Sequence, residues 1–123
     1  MEILALDLGD KRVGIARMRE GISFSVDIVA RTSLIRYLKK YHKDFMIGTI
    51  VVGLPYDLYG KDEKQLHKTE LFIEKLRSIF PDIHIVGHDE RFSSYLAEID
   101  HTGRKDANAA QIILESYLEK NRT

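Results

Sequence analysis

ILALDL at residues 3–8 decides the fold of this chain, because it is an apolar run interrupted by a single acid, Asp7. A strand that is covered on both faces has a continuous apolar sequence rather than alternating apolar and polar residues. An ionised carboxylate in such a strand is costly unless it is paired, hydrogen-bonded or bound to a metal ion. The run therefore predicts a central strand, and it marks Asp7 as a residue that needs a partner.

Two more strands follow this run. Residues 9–12 (GDKR) have turn composition, residues 13–18 (VGIARM) read as a second strand, and residues 22–30 (ISFSVDIVA) alternate as a third after the turn at Glu20 and Gly21. Strands joined by such short turns pair antiparallel with their neighbours. The first 30 residues are therefore expected to form a three-stranded meander.

The rest of the chain alternates helices with strands. A long amphipathic helix ending at Pro81 is expected to direct its apolar residues inward, namely Leu66, Leu71, Phe72, Leu76, Ile79 and Phe80. The other predicted elements are a helix capped by Thr32 or Ser33, a buried strand at 46–55, a strand at 83–87, and helices at 92–99 and 107–118.

This order of elements predicts an α/β fold. A meander followed by two strands, each entered through a helix, gives a mixed five-stranded sheet with strand order 3-2-1-4-5 and helices on both faces. Right-handed crossovers bring the ends of strands one, four and five to one edge of the sheet. The chemistry is expected at that edge.

Composition limits the class of protein. A length of 123 residues with 44% hydrophobic content is typical of a single domain, here expected to span residues 1–123. The absence of cysteine excludes disulfides, zinc ribbons and thiol catalysis. The N-terminus resembles neither a signal peptide nor a membrane span, so a cytoplasmic protein without a membrane partner is expected.

Charge is balanced overall but uneven along the chain. Nineteen basic and nineteen acidic residues give a formal net charge of +0, which counts mildly against nucleic-acid binding. Cations nevertheless cluster at Lys11, Arg12, Arg17 and Arg19, and again at 39–43. The second cluster, with Lys39, Lys40 and Lys43, is interpreted as solvated surface.

Three acids are expected to converge at the edge of the sheet. Glu90 follows the fifth strand, and Asp106 precedes the last helix. Carboxylates that meet without a counter-charge repel one another, and an all-oxygen ligand set suits magnesium or manganese. Two such ions about 4 Å apart can drive in-line phosphoryl displacement without a side-chain nucleophile.

Ordinary structural roles remain open for each acid taken alone. Asp7 could bond to turn amides or to Lys11, Asp89 or Asp106 could cap a helix, and Glu90 could pair with Arg91 on the surface. Near the Gly53-Leu54-Pro55 turn, Tyr56 and Tyr59 could stack on unpaired bases, although half-buried loop tyrosines are common. The five histidines show no ligand spacing and are interpreted as structural or solvated.

Four motifs run in order along nearly the whole chain: DLGDKRVG at 7–14, VVGLP at 51–55 followed by Gly60, HDERFSS at 88–94, and KDANAAQIIL at 105–114. Together they resemble the YqgF/RuvX family. The resemblance implies an RNase H-like domain related to the RuvC Holliday junction resolvases. It also implies a nuclease that cuts branched DNA or trims the 5′ end of precursor 16S ribosomal RNA.

The resemblance also implies roles for individual residues. Asp7, Glu90 and Asp106 match the family's catalytic, metal-binding acids, with Mg²⁺ or Mn²⁺, two ions in all, as the expected cofactor. Lys11 and Arg12 match its lysine–arginine pair and are placed to hold phosphate, and Arg91 could do the same or orient Glu90. The expected partner is structured RNA or branched DNA, bound by a monomer or a homodimer.

Two other classes of function compete with a nuclease. A domain that keeps this fold and loses activity would serve as a nucleic-acid-binding module. A fragment of an actin-type ATPase would also have a DLG turn that cradles phosphate, but such enzymes need two domains around the nucleotide. Retention of all three acids favours the nuclease.

Overall fold

Five strands and three helices make up the described part of the chain, which the computed structural model covers at residues 1–55, 63–89 and 109–120. The sheet strands are β1 (Glu2–Leu8), β2 (Arg12–Arg19), β3 (Ile22–Ala30), β4 (Ile47–Leu54) and β5 (His84–Asp89). The helices are α1 (Leu34–Phe45), which follows a 3-10 turn at Arg31–Ser33, α2 (Glu63–Ile79) and α3 (Ala109–Lys120).

The strands form one mixed sheet in the order β3-β2-β1-β4-β5, as predicted. β1 lies at its centre, antiparallel to β2 and parallel to β4, and β4 is parallel to β5. Leu6 of β1 lies opposite Ile15 on one side and Val52 on the other. The C-terminal ends of β1, β4 and β5 therefore share one edge of the sheet, here called the C-terminal edge.

Helices cover both faces of the sheet, which confirms the predicted α/β architecture. α1 and α2 pack on one face, with a core that includes Leu4, Leu6, Leu38, Ile50 and Leu76. α3 packs on the other face, and the core there comprises Ala5, Ala16, Val51, Ala110, Ile113 and Leu114. Because strand residues alternate between faces, the even positions of β1 meet α1 and α2, and the odd positions meet α3.

Two local predictions differ from the structure. Ser33 forms no capping hydrogen bond, because the 3-10 turn carries the chain into α1, and its Oγ accepts a bond from Arg36 instead, at 3.4 Å. Leu71 was expected in the core but is 57% exposed, whereas Ile73 is 4% exposed. The buried side of α2, continued by the residue that follows the helix, consists of Thr69, Ile73, Leu76 and Phe80. These residues are three or four positions apart, which is helical spacing, and Leu71 does not belong to this side.

Other predicted bounds within the described ranges shift by one or two residues. The predicted start of the last helix, at 107, lies outside the described residues. The helix predicted at 92–99 lies outside the described residues. Within the described ranges, no helix is long and apolar enough to cross a membrane.

A buried charged cluster lies at the end of β1 away from the C-terminal edge. Glu2 is 6% exposed, and its Oε1 accepts a hydrogen bond from Arg19 Nε at 3.1 Å and lies 3.8 Å from Arg17 Nη1. Arg17 Nη1 also donates to the hydroxyl of Tyr41 on α1, at 3.5 Å. Within the described ranges, Glu2 Oε2 and Arg17 Nε are buried without a hydrogen-bond partner. The cluster links β1, β2 and α1.

β3 is an edge strand that exposes apolar side chains. Ile22, Phe24 and Ile28 are 58%, 43% and 50% exposed. Its pairing with β2 changes register between Ile15 and Ala16, which is a bulge. Beside the bulge, the backbone N–H of Ile28 donates to the carboxylate of Asp27 at 2.8 Å.

Candidate active site at the C-terminal edge

Asp7 lies next to the end of β1 and is half-buried, nearer to the C-terminal edge than to the middle of the strand. It pairs with Gly14 of β2. A Cβ atom added to Gly14 would lie 3.7 Å from the Cβ of Asp7 and 3.8 Å from the Cβ of Ala110. Asp7 is therefore on the α3 face, close to the start of α3.

Glycines flank Asp7 on both neighbouring strands. Gly14 lies on β2, and Gly53 of β4 follows Val52, which pairs with Leu6, so it stands level with Asp7. Neighbouring strands are about 4.8 Å apart, so a side chain at either glycine position would fill the space beside the carboxylate. Gly14 and Gly53 therefore place no side chain next to Asp7 on the α3 face.

Asp89 shares the edge with Asp7 but not the face. It is the last residue of β5 and pairs with Leu54. Strand alternation puts it on the side of Ile85, which belongs to the core under α1 and α2. Asp89 is therefore not part of a cluster with Asp7 on the α3 face.

His88 has a structural role, in agreement with the interpretation from sequence. It is 6% exposed, and its Nε2 is hydrogen-bonded to Ser116 Oγ at 2.9 Å. Its ring meets the ring of Tyr117 edge-on at 6.0 Å. Burial lowers the pKa of His88, which favours the neutral imidazole. The histidine thus fixes α3 against β5.

The turn between β1 and β2 is tightly closed. The N–H of Gly9 donates to the carbonyl of Arg12 at 2.8 Å, and a Cβ at Gly9 would approach that same oxygen to 2.8 Å. Any side chain at Gly9 would displace the backbone. This close contact explains why position 9 is a glycine, without any contact between Gly9 and a substrate.

Arg31 anchors this turn, a role that the sequence did not reveal. Its Nη1 donates to the carbonyl of Gly9 at 2.9 Å, and its backbone N–H donates to the carbonyl of Lys11 at 2.9 Å. Its guanidinium carbon lies 4.9 Å from the centre of the Phe72 ring on α2. Arg31 therefore connects the turn to the body of the protein.

The turn presents two exposed cations, Lys11 and Arg12. Arg12 begins β2, and alternation gives it the same face as Gly14, which packs against Asp7. Positive charge that is held beside a carboxylate at a sheet edge suits the binding of an anion such as phosphate.

Replacing Arg31 with alanine is expected to loosen this turn. The loss of one charged hydrogen bond and of the contact with Phe72 should lower the free energy of unfolding by about 1.5 kcal/mol. Hydrogen exchange at the amide of Gly9 should become faster, because its bond to Arg12 is no longer supported. Phe72→Leu, which removes only the ring contact, should cost less. Unchanged exchange at Gly9 in Arg31→Ala would contradict the anchoring role.

The remaining predicted site residues lie outside the described residues; they are Tyr56, Tyr59, Glu90, Arg91 and Asp106. Within residues 1–55, 63–89 and 109–120, no group of three histidines or acids is close enough to hold a metal ion. Asp7 is the one member of the expected acid set in those ranges. Its carboxylate oxygens are ligands of the kind that a hard divalent cation prefers, and neither Gly14 nor Gly53 places a side chain beside them.

Comparison with solved structures supports the fold. A candidate sugar kinase from Cytophaga hutchinsonii superposes with a TM-score of 0.50 at 17% identity over 85% of this chain. Pelota from Archaeoglobus fulgidus does so with a TM-score of 0.51 at 13% identity over 97% of the chain. The chain spans 41% and 35% of those structures, so the likeness is to part of each. With the observed strand order, it confirms the RNase H-like fold class.

Curated relatives match over almost their whole length. A protein from Fusobacterium nucleatum is 33% identical, with 94% of this chain and 95% of the relative covered. One from a Sulfurihydrogenibium species is 35% identical, with 96% and 90% covered. Both are named as candidate pre-16S rRNA nucleases. The RuvX family, described as Holliday junction resolvases, matches residues 1–120. The chain therefore belongs to the RuvX family of nucleases, as its four motifs predicted.

Proposed function

We propose that this protein is a divalent-metal-dependent endonuclease that hydrolyses phosphodiester bonds in structured nucleic acid, and that its substrate is the 5′ end of precursor 16S rRNA. The observation that carries the proposal is the position of Asp7. The carboxylate lies at the C-terminal edge between two glycines of the neighbouring strands, Gly14 and Gly53, beside a turn that presents two cations.

The proposed metal ligands are Asp7, Glu90 and Asp106, with Mg²⁺ or Mn²⁺ as the ion and two ions in the complete site. Carboxylate oxygens are the ligands that these ions prefer. When bound, such ions activate a water molecule and stabilise the leaving oxygen of an in-line displacement. The acids of the chain supply the negative charge that holds them.

The other residues are proposed to bind the substrate. Lys11 and Arg12 hold a phosphate by charge and by hydrogen bonds, in a position that Arg31 keeps fixed. Arg91 contacts phosphate or orients Glu90. Tyr56 and Tyr59 stack on unpaired bases, which are available at single-stranded ends and at branches.

The choice of rRNA rests on the relatives, which are named as candidate nucleases of pre-16S rRNA and match this chain over at least 94% of its length. The description of the family favours a second substrate, the Holliday junction. Symmetric cleavage of a junction needs two active sites related by a twofold axis, and therefore a homodimer. A monomer suits the trimming of one RNA end.

One cleavage assay tests the proposal and separates the two substrates. The purified protein is incubated with a structured precursor of 16S rRNA or with a four-way DNA junction, in magnesium, in manganese or in chelator. We expect cleavage of the RNA with either metal and none in chelator. Cleavage in chelator would contradict metal dependence, and cleavage of the junction alone would identify a resolvase. No cleavage of either substrate would leave the binding module as the function.

A further inference from the structure

Four cations share the exposed face of α1. Relative to Arg36, the lysines lie three, four and seven positions further on, and residues at these offsets lie on one side of a helix. All four are exposed, and the buried residues of α1 lie on the opposite side. We call this set the basic stripe; its members are Arg36, Lys39, Lys40 and Lys43.

The basic stripe is a local excess of positive charge on a chain whose net charge is +0. The only acid of α1 is Asp44. The exposed surface of α2, by contrast, mixes both signs, and there Arg77 forms an ion pair with Glu74. In the part of the chain that the structure describes, no acid neutralises the charge of the stripe by an ion pair.

The helix that carries the stripe starts near the turn that follows Asp7, on the opposite face of the sheet from Asp7. α1 follows the 3-10 turn that starts with Arg31, whose N–H bonds to the carbonyl of Lys11, and Ala30 pairs with Arg12. At its other end, Phe45 lies under Arg19, the last residue of β2, with the guanidinium carbon 5.4 Å from the ring centre. α1 thus runs from the C-terminal edge to the opposite edge of the sheet. Its twelve residues span about 18 Å.

We propose that the basic stripe binds the phosphodiester backbone of a structured nucleic acid. The bound segment is distinct from the nucleic-acid strand that reaches Asp7. This inference rests on the proposed function for the identity of the ligand. A length of about 18 Å corresponds to roughly five base-pair steps of a duplex. Lysines bind phosphate as point charges without reading sequence, so the stripe positions a helical segment while the turn with Lys11 and Arg12 holds the reactive strand.

The chemistry of the stripe favours nucleic acid over other polyanions. The centre of a stable protein interface carries aromatic or aliphatic anchors, but this face of α1 carries cations. A helix that binds a membrane surface inserts its apolar face, and here Leu34, Leu38 and Tyr41 are already buried in the core. A row of equal charges at regular spacing fits a regular row of phosphates.

The test is the salt dependence of binding in the variant Lys39→Ala, Lys40→Ala, Lys43→Ala. Its affinity for a fluorescent RNA hairpin is measured by anisotropy over a range of KCl concentrations, in chelator so that no cleavage occurs. We expect an affinity about tenfold lower or more at moderate salt. The slope of log affinity against log salt should become shallower by roughly two to three units, because about one unit is lost with each phosphate contact.

The matched control removes the same charge from α2, in the variant Lys64→Ala, Lys68→Ala, Lys75→Ala. These lysines are exposed, so both variants have the same net charge and gain three strong helix formers. The control should keep the parent slope. Thermal melting checks that both variants fold.

Three results would overturn the inference: an α1 variant with the parent slope, an equal loss in the control, or a parent protein that binds neither the RNA hairpin nor duplex DNA. The inference would also be overturned if the α1 variant lost binding to anionic lipid vesicles but kept its binding to RNA. Failure of the proposed function is distinguishable, since it appears as absent cleavage in the assay with metal, whereas this experiment measures binding without metal.

Discussion

Asp7→Asn is expected to reduce cleavage by several orders of magnitude without lowering the stability of the fold in chelator. The substitution keeps the shape of the side chain and removes its charge. A metal ion then loses a carboxylate ligand, so the nucleophilic water is no longer held and activated. If Asp7, Glu90 and Asp106 converge as proposed, the removal of one of these like charges in the absence of metal should leave the free energy of unfolding unchanged or raise it by about 1 kcal/mol.

The measurement combines cleavage with thermal melting in chelator and in magnesium. Magnesium should raise the Tm of the parent more than that of Asp7→Asn, because a ligand stabilises the native state in proportion to its occupancy there. Asp10→Asn is the control, since Asp10 is an exposed acid three residues further along. It should keep both the activity and the response to magnesium.

A different outcome would assign Asp7 another role. If Asp7→Asn melts far below the parent in chelator, its carboxylate is a structural hydrogen-bond acceptor at the end of β1. If it melts like the parent and cleaves at the parent rate, Asp7 takes no part in catalysis. Either result would remove the observation on which the proposed function depends.

Glu2→Ala is expected to cost the fold about 2–3 kcal/mol. The substitution leaves Arg17 and Arg19 without their carboxylate partner beside the buried end of β1. Breaking a fully buried ion pair costs about 3–5 kcal/mol. The arginine side chains are 27% and 46% exposed and regain some hydration, which lowers the expected cost. The midpoint of urea unfolding should fall at constant m-value, and Tm should drop by roughly 8–12 °C.

Two further variants separate charge from packing at this cluster. Glu20→Ala removes an exposed acid from the turn between β2 and β3 and should change stability by less than about 0.5 kcal/mol. The double variant Glu2→Leu, Arg17→Met replaces charge with apolar volume and should recover most of the loss. A Glu2→Ala protein as stable as the parent would mean that the arginines are fully hydrated in the native state.

The fold was predictable because each element has a strong local pattern. ILALDL reads as a central strand since it is apolar on both faces, and the helices between later strands fix the parallel crossovers. The phase of α2 was less predictable, because Leu71 and Ile73 are equally apolar and only packing against the sheet selects Ile73. The missing cap at Ser33 has a similar cause: a tertiary contact, the bond from Arg31 to Lys11, shapes the turn before α1.

The candidate site was predictable only in part. Asp7 stands out because an acid in an apolar strand demands an explanation, and its position at the C-terminal edge follows from the strand order. The role of Arg31 depends on Phe72, a residue far along the chain, so no local pattern reveals it. The roles of Glu90, Asp106, Arg91, Tyr56 and Tyr59 stay predictions from sequence.

The bulged edge at β3 bears on whether copies of this protein can pair through their sheets. An unpaired strand with exposed apolar side chains is a template on which another chain can add a strand, and repeated addition leads to aggregates. Here the amide of Ile28 is occupied by the carboxylate of Asp27, and the adjacent bulge interrupts the regular spacing of the backbone groups. An incoming strand would meet a negative charge and a break in the ladder at its midpoint. The carboxylate of Asp27 and the bulge therefore oppose the addition of further strands to β3.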